Sequence, residues 1–274
     1  MEHLQDKKLY EVHDLEGKQL PIVFHYNIVQ IGGSEIANWH NNIEFLYCNV
    51  GSGQILCNSI VYDVNEGDLI VVNSGLLHVV RKTKSFEYYC LIVDSDFLAT
   101  NGIMVNEMEF ETFVRSEETS ALFCRVVDEI EHNREFRATG VRSRILDLMV
   151  HLSRKHLLRF SSTANPRMVS DQNIKEAISY IKSNCAQRLS LEEIAGAVNL
   201  SKYHFAREFK KATGMTVVAY INEIRCRNAR RLILSKQHSI SEVASLCGFE
   251  NNSYFSKTFK QVMGCLPSEI TKAP

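Results

Sequence analysis

Polar and basic side chains recur along two short segments of the C-terminal third, at the spacing of a single helix face. In the first segment they are Tyr203, Arg207 and Lys210, at positions i, i+4 and i+7. The matching residues of the second segment are Ser253, Lys257 and Lys260. A helix that enters a DNA major groove needs hydrogen-bonding side chains toward base edges and cations toward phosphates. The pattern is typical of two DNA-reading helices, although a solvated helix face without a ligand shows the same stripe.

The two segments belong to an internal repeat, in which residues 189–214 resemble residues 239–264. Each copy opens with Ser-x-x-Glu, the capping box that satisfies free N–H groups at a helix start. A residue type that tolerates positive φ then predicts a tight turn, Asn199 in one copy and Gly248 in the other. An apolar stripe marks a second helix in each copy, so the repeat predicts two helix-turn-helix units.

Between the copies, residues 216–236 have the pattern of one long helix that carries four arginines. Such a helix is suited to hold the two units at a fixed separation. One chain would then address two successive major grooves on one face of DNA, about 34 Å apart.

The charge distribution agrees with this prediction. Residues 1–170 hold 16 Lys+Arg against 23 Asp+Glu, and residues 171–274 hold 15 against 9. A basic C-terminal third indicates a polyanion partner when a binding motif accompanies it.

The remainder of the chain predicts a different architecture. Five short β-branched and aromatic runs, separated by glycine and asparagine turns, predict a β-sandwich or small barrel. These runs are 22–28, 44–50, 54–59, 68–73 and 86–93. Helical spacing then predicts two amphipathic helices between residues 120 and 158. We therefore expect an α+β chain with a barrel and helical segment in 1–160, a linker in 161–169 and an all-α domain in 170–274.

Composition excludes several classes of protein. The eight cysteines include no Cys-x-x-Cys pair, which disfavours a structural zinc site and a disulfide scaffold. The charged first twenty residues lack the apolar core of a secretory signal, and no run approaches the roughly 18 apolar residues of a membrane helix. We expect a cytoplasmic protein without membrane contact.

In its last hundred residues the chain resembles the AraC/XylS family of bacterial transcription regulators. The resemblance rests on the pattern Glu242-Val243-Ala244, Cys247-Gly248-Phe249 and Ser253-Tyr254-Phe255-Ser256-Lys257, and on Gly214-Met215-Thr216 before the long helix. Two framework positions depart from the family, Val217 in place of proline and the closing run 266–271. The resemblance implies DNA contacts along both second helices. We expect these contacts from Lys202, Tyr203, Ala206, Arg207, Lys210, Asn251, Asn252, Ser253, Lys257 and Lys260.

The N-terminal runs resemble the cupin-type sensor domain of the same family. The motif residues are Trp39 to Glu44, Gly51-Ser52-Gly53, Glu66-Gly67-Asp68 and His78, in that order. The resemblance implies that His40, Glu44 and His78 face a ligand site, and we add Phe24 and Tyr47 as its apolar wall. A polar, hydroxylated effector such as a sugar would suit two imidazoles and a carboxylate.

Metal-dependent cupins use the same positions as ligands, together with one further histidine. That position is Asn38 here, so we expect no metal and no cofactor, although His40, Glu44 and His78 would suffice for a 2-His-1-carboxylate triad.

The apolar stripe of the helix predicted in 140–158 is longer than one small barrel covers. A partner subunit would complete its burial, which predicts a homodimer. The stripe residues are Ile145, Leu148, Met149 and Leu152; packing on the chain's own barrel is the alternative.

These patterns predict a transcription regulator, in the form of an activator that works with RNA polymerase, controlled by a small molecule and without enzymatic activity. The rival from another class is a metal-dependent cupin enzyme with a helical interaction tail. A third possibility is an architectural DNA-binding protein whose barrel binds nothing. Metal analysis separates the first two, and a ligand screen separates the first from the third.

Overall fold

The computed structural model describes residues 20–29, 36–81, 86–160 and 166–270. The chain divides into two compact units, with the main division between Ala164 and Asn165. None of the described helices combines the length and the apolar character that a bilayer crossing requires.

The first unit contains antiparallel strands and two long helices. Its strands are β1 (Ile22–Val29), β2 (Ile43–Cys57), β3 (Ile60–Asn65), β4 (Leu69–Val72), β5 (His78–Arg81), β6 (Phe86–Val93), β7 (Met108–Phe110), β8 (Phe113–Val114) and β9 (Leu157–Phe160). Its helices are α1 (Ser95–Thr100), a 3₁₀ turn (Val105–Glu107), α2 (Glu117–Glu131) and α3 (Arg137–Lys155). The predicted amphipathic pair corresponds to α2 and α3.

Strand β2 organises the sheet. Its first half pairs with β4 and β6, and its second half pairs with β3 and β5. In the larger sheet the described strands follow the order β1-β6-β2-β4-β8, with β3 and β5 attached to β2, while β7 and β9 form a separate two-stranded sheet. All of these pairings are antiparallel.

The predicted turn at 51–53 is wrong, because β2 continues through it. The strand bends at a bulge between Cys48 and Val50, and Gly51 takes up φ +82°, which only glycine adopts at little cost. A Cβ on Gly53 would lie 2.3 Å from the Phe86 ring. These glycines therefore allow a bent strand and close ring packing rather than a chain reversal.

Over residues 166–270 the second unit contains helices joined by short turns, without a described strand. Its helices are α4 (Pro166–Asn184), α5 (Leu191–Ala197), α6 (Lys202–Thr213), α7 (Val217–Ser235), α8 (Ile240–Leu246), α9 (Asn252–Met263) and α10 (Pro267–Ile270). The predicted linker over 161–169 is too long, because residues 166–169 already belong to α4; residues 161–165 lie outside the described residues.

Glycine at the end of a helix has two different roles in this unit. Gly248 and Gly264 both adopt left-handed backbone, with φ +83° and +78°. A Cβ on Gly248 would also meet the carbonyl oxygens of Cys185 and Ala186 at 2.8 Å, whereas around Gly264 the space is open. Gly248 therefore lets the turn of the second helix-turn-helix unit approach the end of α4.

This difference predicts unequal costs for the same substitution. Gly264→Ala should lower the free energy of unfolding by about 1 kcal/mol, the cost of a left-handed alanine. Gly248→Ala should cost about 2–4 kcal/mol, because the backbone must also move apart. Urea unfolding followed by circular dichroism measures both, and equal losses would contradict the close approach.

Candidate nucleic-acid interface and effector site

The first helix-turn-helix unit is formed by α5 and α6. Ser190 and Glu193 form the predicted capping box at the start of α5, and Asn199 takes up φ +55° in the turn. Phe205 and Phe209 are fully buried on one side of α6. The opposite side must therefore face solvent.

The exposed face of α6 carries the predicted DNA contacts. Tyr203 is 84% exposed, and Arg207 and Lys210 are also exposed, while Ala206 is half-buried. Arg207 lies beside its helix neighbours: its Nη2 is 3.0 Å from His204 Nδ1 and its Nε 3.2 Å from Glu208 Oε1. These contacts are on the surface, so the guanidinium can exchange them for a DNA partner.

The remaining predicted residue of this unit, Lys202, forms an ion pair with Glu192 of α5. Both side chains are exposed, and such pairs contribute little to stability. The pair leaves the lysine cation close to the start of α6.

The second helix-turn-helix unit, formed by α8 and α9, repeats this geometry. The predicted capping box of Ser239 and Glu242 is present, and Phe255 and Phe259 are buried beneath α9. The predicted contacts on this helix are all exposed: Asn252, Ser253, Lys257 and Lys260. Of these, Asn252 donates a hydrogen bond from Nδ2 to Ser241 Oγ, at 2.8 Å.

Asn251 has a structural role that differs from the predicted DNA contact. Its Oδ1 accepts hydrogen bonds from the backbone N–H groups of Ser253 (2.8 Å) and Tyr254 (3.0 Å), so it caps α9. Because this oxygen already accepts two hydrogen bonds from the helix, Asn251 is less suited to a base contact than Asn252. The signal was present in the sequence, since asparagine is a preferred N-cap residue.

Arg225, one of the four arginines of α7, joins the end of α4 to the second helix-turn-helix unit. Its Nε and Nη2 each donate to a backbone carbonyl at 2.8 Å, those of Cys185 and Gln187 beyond the end of α4. Its guanidinium also lies 5.7 Å from the centre of the Phe249 ring, in the turn of the second unit. Sequence spacing identified the arginine but not this junction, since its partners are about 40 residues away.

In the N-terminal domain, His40, Glu44 and His78 lie together, as the cupin resemblance implies. Glu44 Oε2 lies 2.8 Å from His40 Nε2 and 2.9 Å from His78 Nε2. The three residues are 1%, 4% and 6% exposed. Burial would raise the pKa of Glu44, but the facing His78 and His40 hold it well below its usual value, so the carboxyl group is ionised.

Phe24 and Tyr47 do not line this polar centre. Side chains three residues apart on a strand point to opposite faces, so Tyr47 faces away from Glu44. Its ring stacks on Phe123 of α2, with centroids 5.0 Å apart. Phe24 packs against the same helix-covered core. The assignment of these two residues to the ligand wall is therefore wrong.

The predicted dimer face is also wrong. Its four residues are fully buried among α2, α3 and the strands of their own domain: Ile145, Leu148, Met149 and Leu152. Helix α2 packs beside α3, and together they cover one face of the sheet. The chain's own core thus provides the cover that we expected from a partner.

Comparison with known proteins agrees with this architecture. A family described as AraC-like ligand binding domain matches residues 35–149, and one described as Helix-turn-helix domain matches residues 194–273. The uncharacterized HTH-type transcriptional regulator YdeC of Bacillus subtilis is 23% identical over 97% of both chains. The HTH-type transcriptional activator RhaS of Klebsiella pneumoniae is 31% identical over 42% of this chain and 41% of its own. A solved structure of ToxT from Vibrio cholerae aligns with 92% of this chain and 98% of its own, at 16% identity and a TM-score of 0.44.

The Arg225 junction predicts a stability effect specific to that arginine. Arg225→Met keeps the length of the side chain but removes both hydrogen bonds, and should lower the free energy of unfolding by about 2–3 kcal/mol. Arg230→Met is the matched control, because Arg230 is exposed on the same helix. Urea unfolding should show no more than a small effect for the control; similar losses for both variants would refute the junction.

Proposed function

This chain belongs to the AraC/XylS family of transcription regulators, and from that premise we propose how its parts divide the work. It has a helix-turn-helix DNA-binding domain and a ligand-binding domain that responds to a small molecule. The observation that carries the proposal is the presence of two capped helix-turn-helix units in one compact domain, each with an exposed polar and basic face.

The exposed faces of α6 and α9 suit different kinds of DNA contact. Arg207 and Lys257 lie centrally on their helices and would reach base edges, where a good bidentate contact is worth about 1–3 kcal/mol. Tyr203, Asn252 and Ser253 would add hydrogen bonds to bases, and Ala206 only a methyl contact. The outer cations, Lys202, Lys210 and Lys260, would bind phosphates and position the helices.

The two recognition helices would enter successive major grooves of double-stranded DNA. This part of the proposal is supported by α7, which packs against both units and is pinned at its centre by Arg225. A fixed spacing of about 34 Å would favour operators whose two half-sites lie one helical turn apart.

The effector would bind at the polar centre formed by His40, Glu44 and His78. Their donors and acceptors suit a hydroxylated molecule such as a sugar. Trp39, the only tryptophan of the chain, is buried next to His40 and reports on this region.

The protein would act in the cytoplasm as a homodimer. It would activate transcription together with RNA polymerase. The name of RhaS, a transcriptional activator, supports activation. A homodimer would double the DNA contacts, but its interface must lie outside the four buried residues of α3.

A metal-dependent enzyme is the second candidate function, favoured by the convergence of two imidazoles and a carboxylate. The matched helix-turn-helix domain disfavours it, because an enzyme does not need two basic recognition helices.

The division of DNA contacts predicts separable effects on specificity and affinity. Operators are first selected from random duplexes with the full-length protein. Arg207→Ala should then reduce the preference for the selected operator over random DNA by about 10-fold or more, because a base contact is lost. Lys260→Ala should weaken binding to the operator and to random DNA equally, because a phosphate contact is lost. It should also reduce the slope of log affinity against log salt concentration by about 1.

Fluorescence anisotropy at several salt concentrations measures these effects, with Lys155→Ala, an exposed site in the other domain, as the control. The assignment is wrong if Arg207→Ala weakens operator and random DNA to the same extent.

The effector site predicts a saturable change in Trp39 fluorescence when the right molecule is added from a panel of monosaccharides and sugar alcohols. His40→Ala and Glu44→Gln should remove this response, whereas His156→Ala, outside the polar centre, should keep it. A response that survives both of the first two variants would place the effector elsewhere.

A further inference from the structure

The polar centre is made of side chains from three separate parts of the N-terminal domain. His40 precedes β2, Glu44 lies within β2, and His78 begins β5. Both imidazoles direct Nε2 at the same oxygen, Glu44 Oε2, from 2.8 and 2.9 Å. The ligand atoms of the three residues lie within 4.8 Å of one another.

The backbone around the histidines determines which nitrogen carries hydrogen. His40 Nδ1 lies 3.0 Å from the carbonyl oxygen of Asn42, and His78 Nδ1 lies 3.1 Å from that of Leu76. A carbonyl oxygen only accepts hydrogen bonds, so each Nδ1 must donate one. In a neutral imidazole the lone pair is then on Nε2, the atom that faces Glu44.

Two imidazole nitrogens and one carboxylate oxygen thus come together in a site that is almost closed to solvent. These are the atoms that a divalent transition-metal ion takes as its ligands.

We propose that His40, Glu44 and His78 hold one divalent transition-metal ion. Two imidazoles and one carboxylate suit Fe²⁺, Zn²⁺, Co²⁺ or Mn²⁺ better than Ca²⁺, which prefers oxygen ligands alone. Adjacent ligands of an octahedral ion at about 2.1 Å are about 3.0 Å apart. The two separations between a histidine Nε2 and Glu44 Oε2, 2.8 and 2.9 Å, are close to this value.

The surroundings of the triad are those of a supported metal site. Each ligating histidine donates its other N–H to a backbone carbonyl, the usual means of holding such a ring in place. The second oxygen of Glu44 accepts a hydrogen bond from the Cys90 thiol at 3.0 Å, which orients the carboxylate. This inference rests on the proposed effector site, because the ion would lie at the same three side chains, whereas metal content and DNA binding are measured separately.

The test uses the full-length protein without an affinity tag. We expect purified wild type to contain close to one equivalent of transition metal by plasma mass spectrometry. After chelation, Co²⁺ should restore one equivalent with visible d–d absorption, and Zn²⁺ should displace it. His78→Ala and Glu44→Gln should weaken Co²⁺ binding at least about 100-fold. Replacing a residue that only supports a ligand costs about 10–100-fold in metal affinity, and replacing a ligand itself should cost more.

The matched control is His156→Ala, because His156 pairs with Glu111 in the same domain but away from the triad; it should bind Co²⁺ as wild type does. A measurement on wild type alone guards against variants that fail to fold: chelation should lower its melting temperature, and Zn²⁺ should restore it. Folded wild type is also mixed with Zn²⁺ or Co²⁺ at a concentration well above a micromolar dissociation constant. The proposal is overturned if the protein then binds less than about a tenth of an equivalent of metal. Operator binding of the same sample tests the proposed function independently.

Discussion

The DNA-binding domain depends on one constraint: a single helix, α7, has to pack against both helix-turn-helix units at once. Tyr220 near its start packs edge-on against Phe209 of the first unit, with ring centroids 5.2 Å apart. Cys226, Ala229 and Ile233 near its end share a core with Phe255 of the second. Arg225, between these groups, ties α4 to the Phe249 turn. The positions of α6 and α9 relative to each other follow from this packing.

A second constraint, the alternation of side chains along β2, organises the N-terminal domain. Phe45 and Tyr47 face the core that α2 and α3 cover, whereas Glu44, Leu46 and Cys48 face the other way. The helices therefore bury one face of the sheet and leave the opposite face for the polar centre. This separation explains why the aromatic residues expected in the ligand wall belong to the helix-covered core.

Much of the architecture could be predicted because it depends on local signals. The capping boxes, the positive φ of Asn199 and Gly248 and the exposed faces of the recognition helices all follow from residue types a few positions apart. The errors concern long-range relations. Neither the path of β2 through Gly51 nor the burial of the α3 stripe under α2 can be inferred from local periodicity, because each depends on partners distant in sequence. The convergence of His40, Glu44 and His78 was expected only through a family resemblance.

The central claim is that one chain presents two recognition helices at a fixed spacing to one face of DNA. Hydroxyl-radical footprinting of the full-length protein on a selected operator tests it most directly. We expect two protected patches for each bound chain, separated by about 10 base pairs and lying on the same face of the duplex. A single protected patch for each chain, or two patches whose separation varies freely among selected operators, would contradict it.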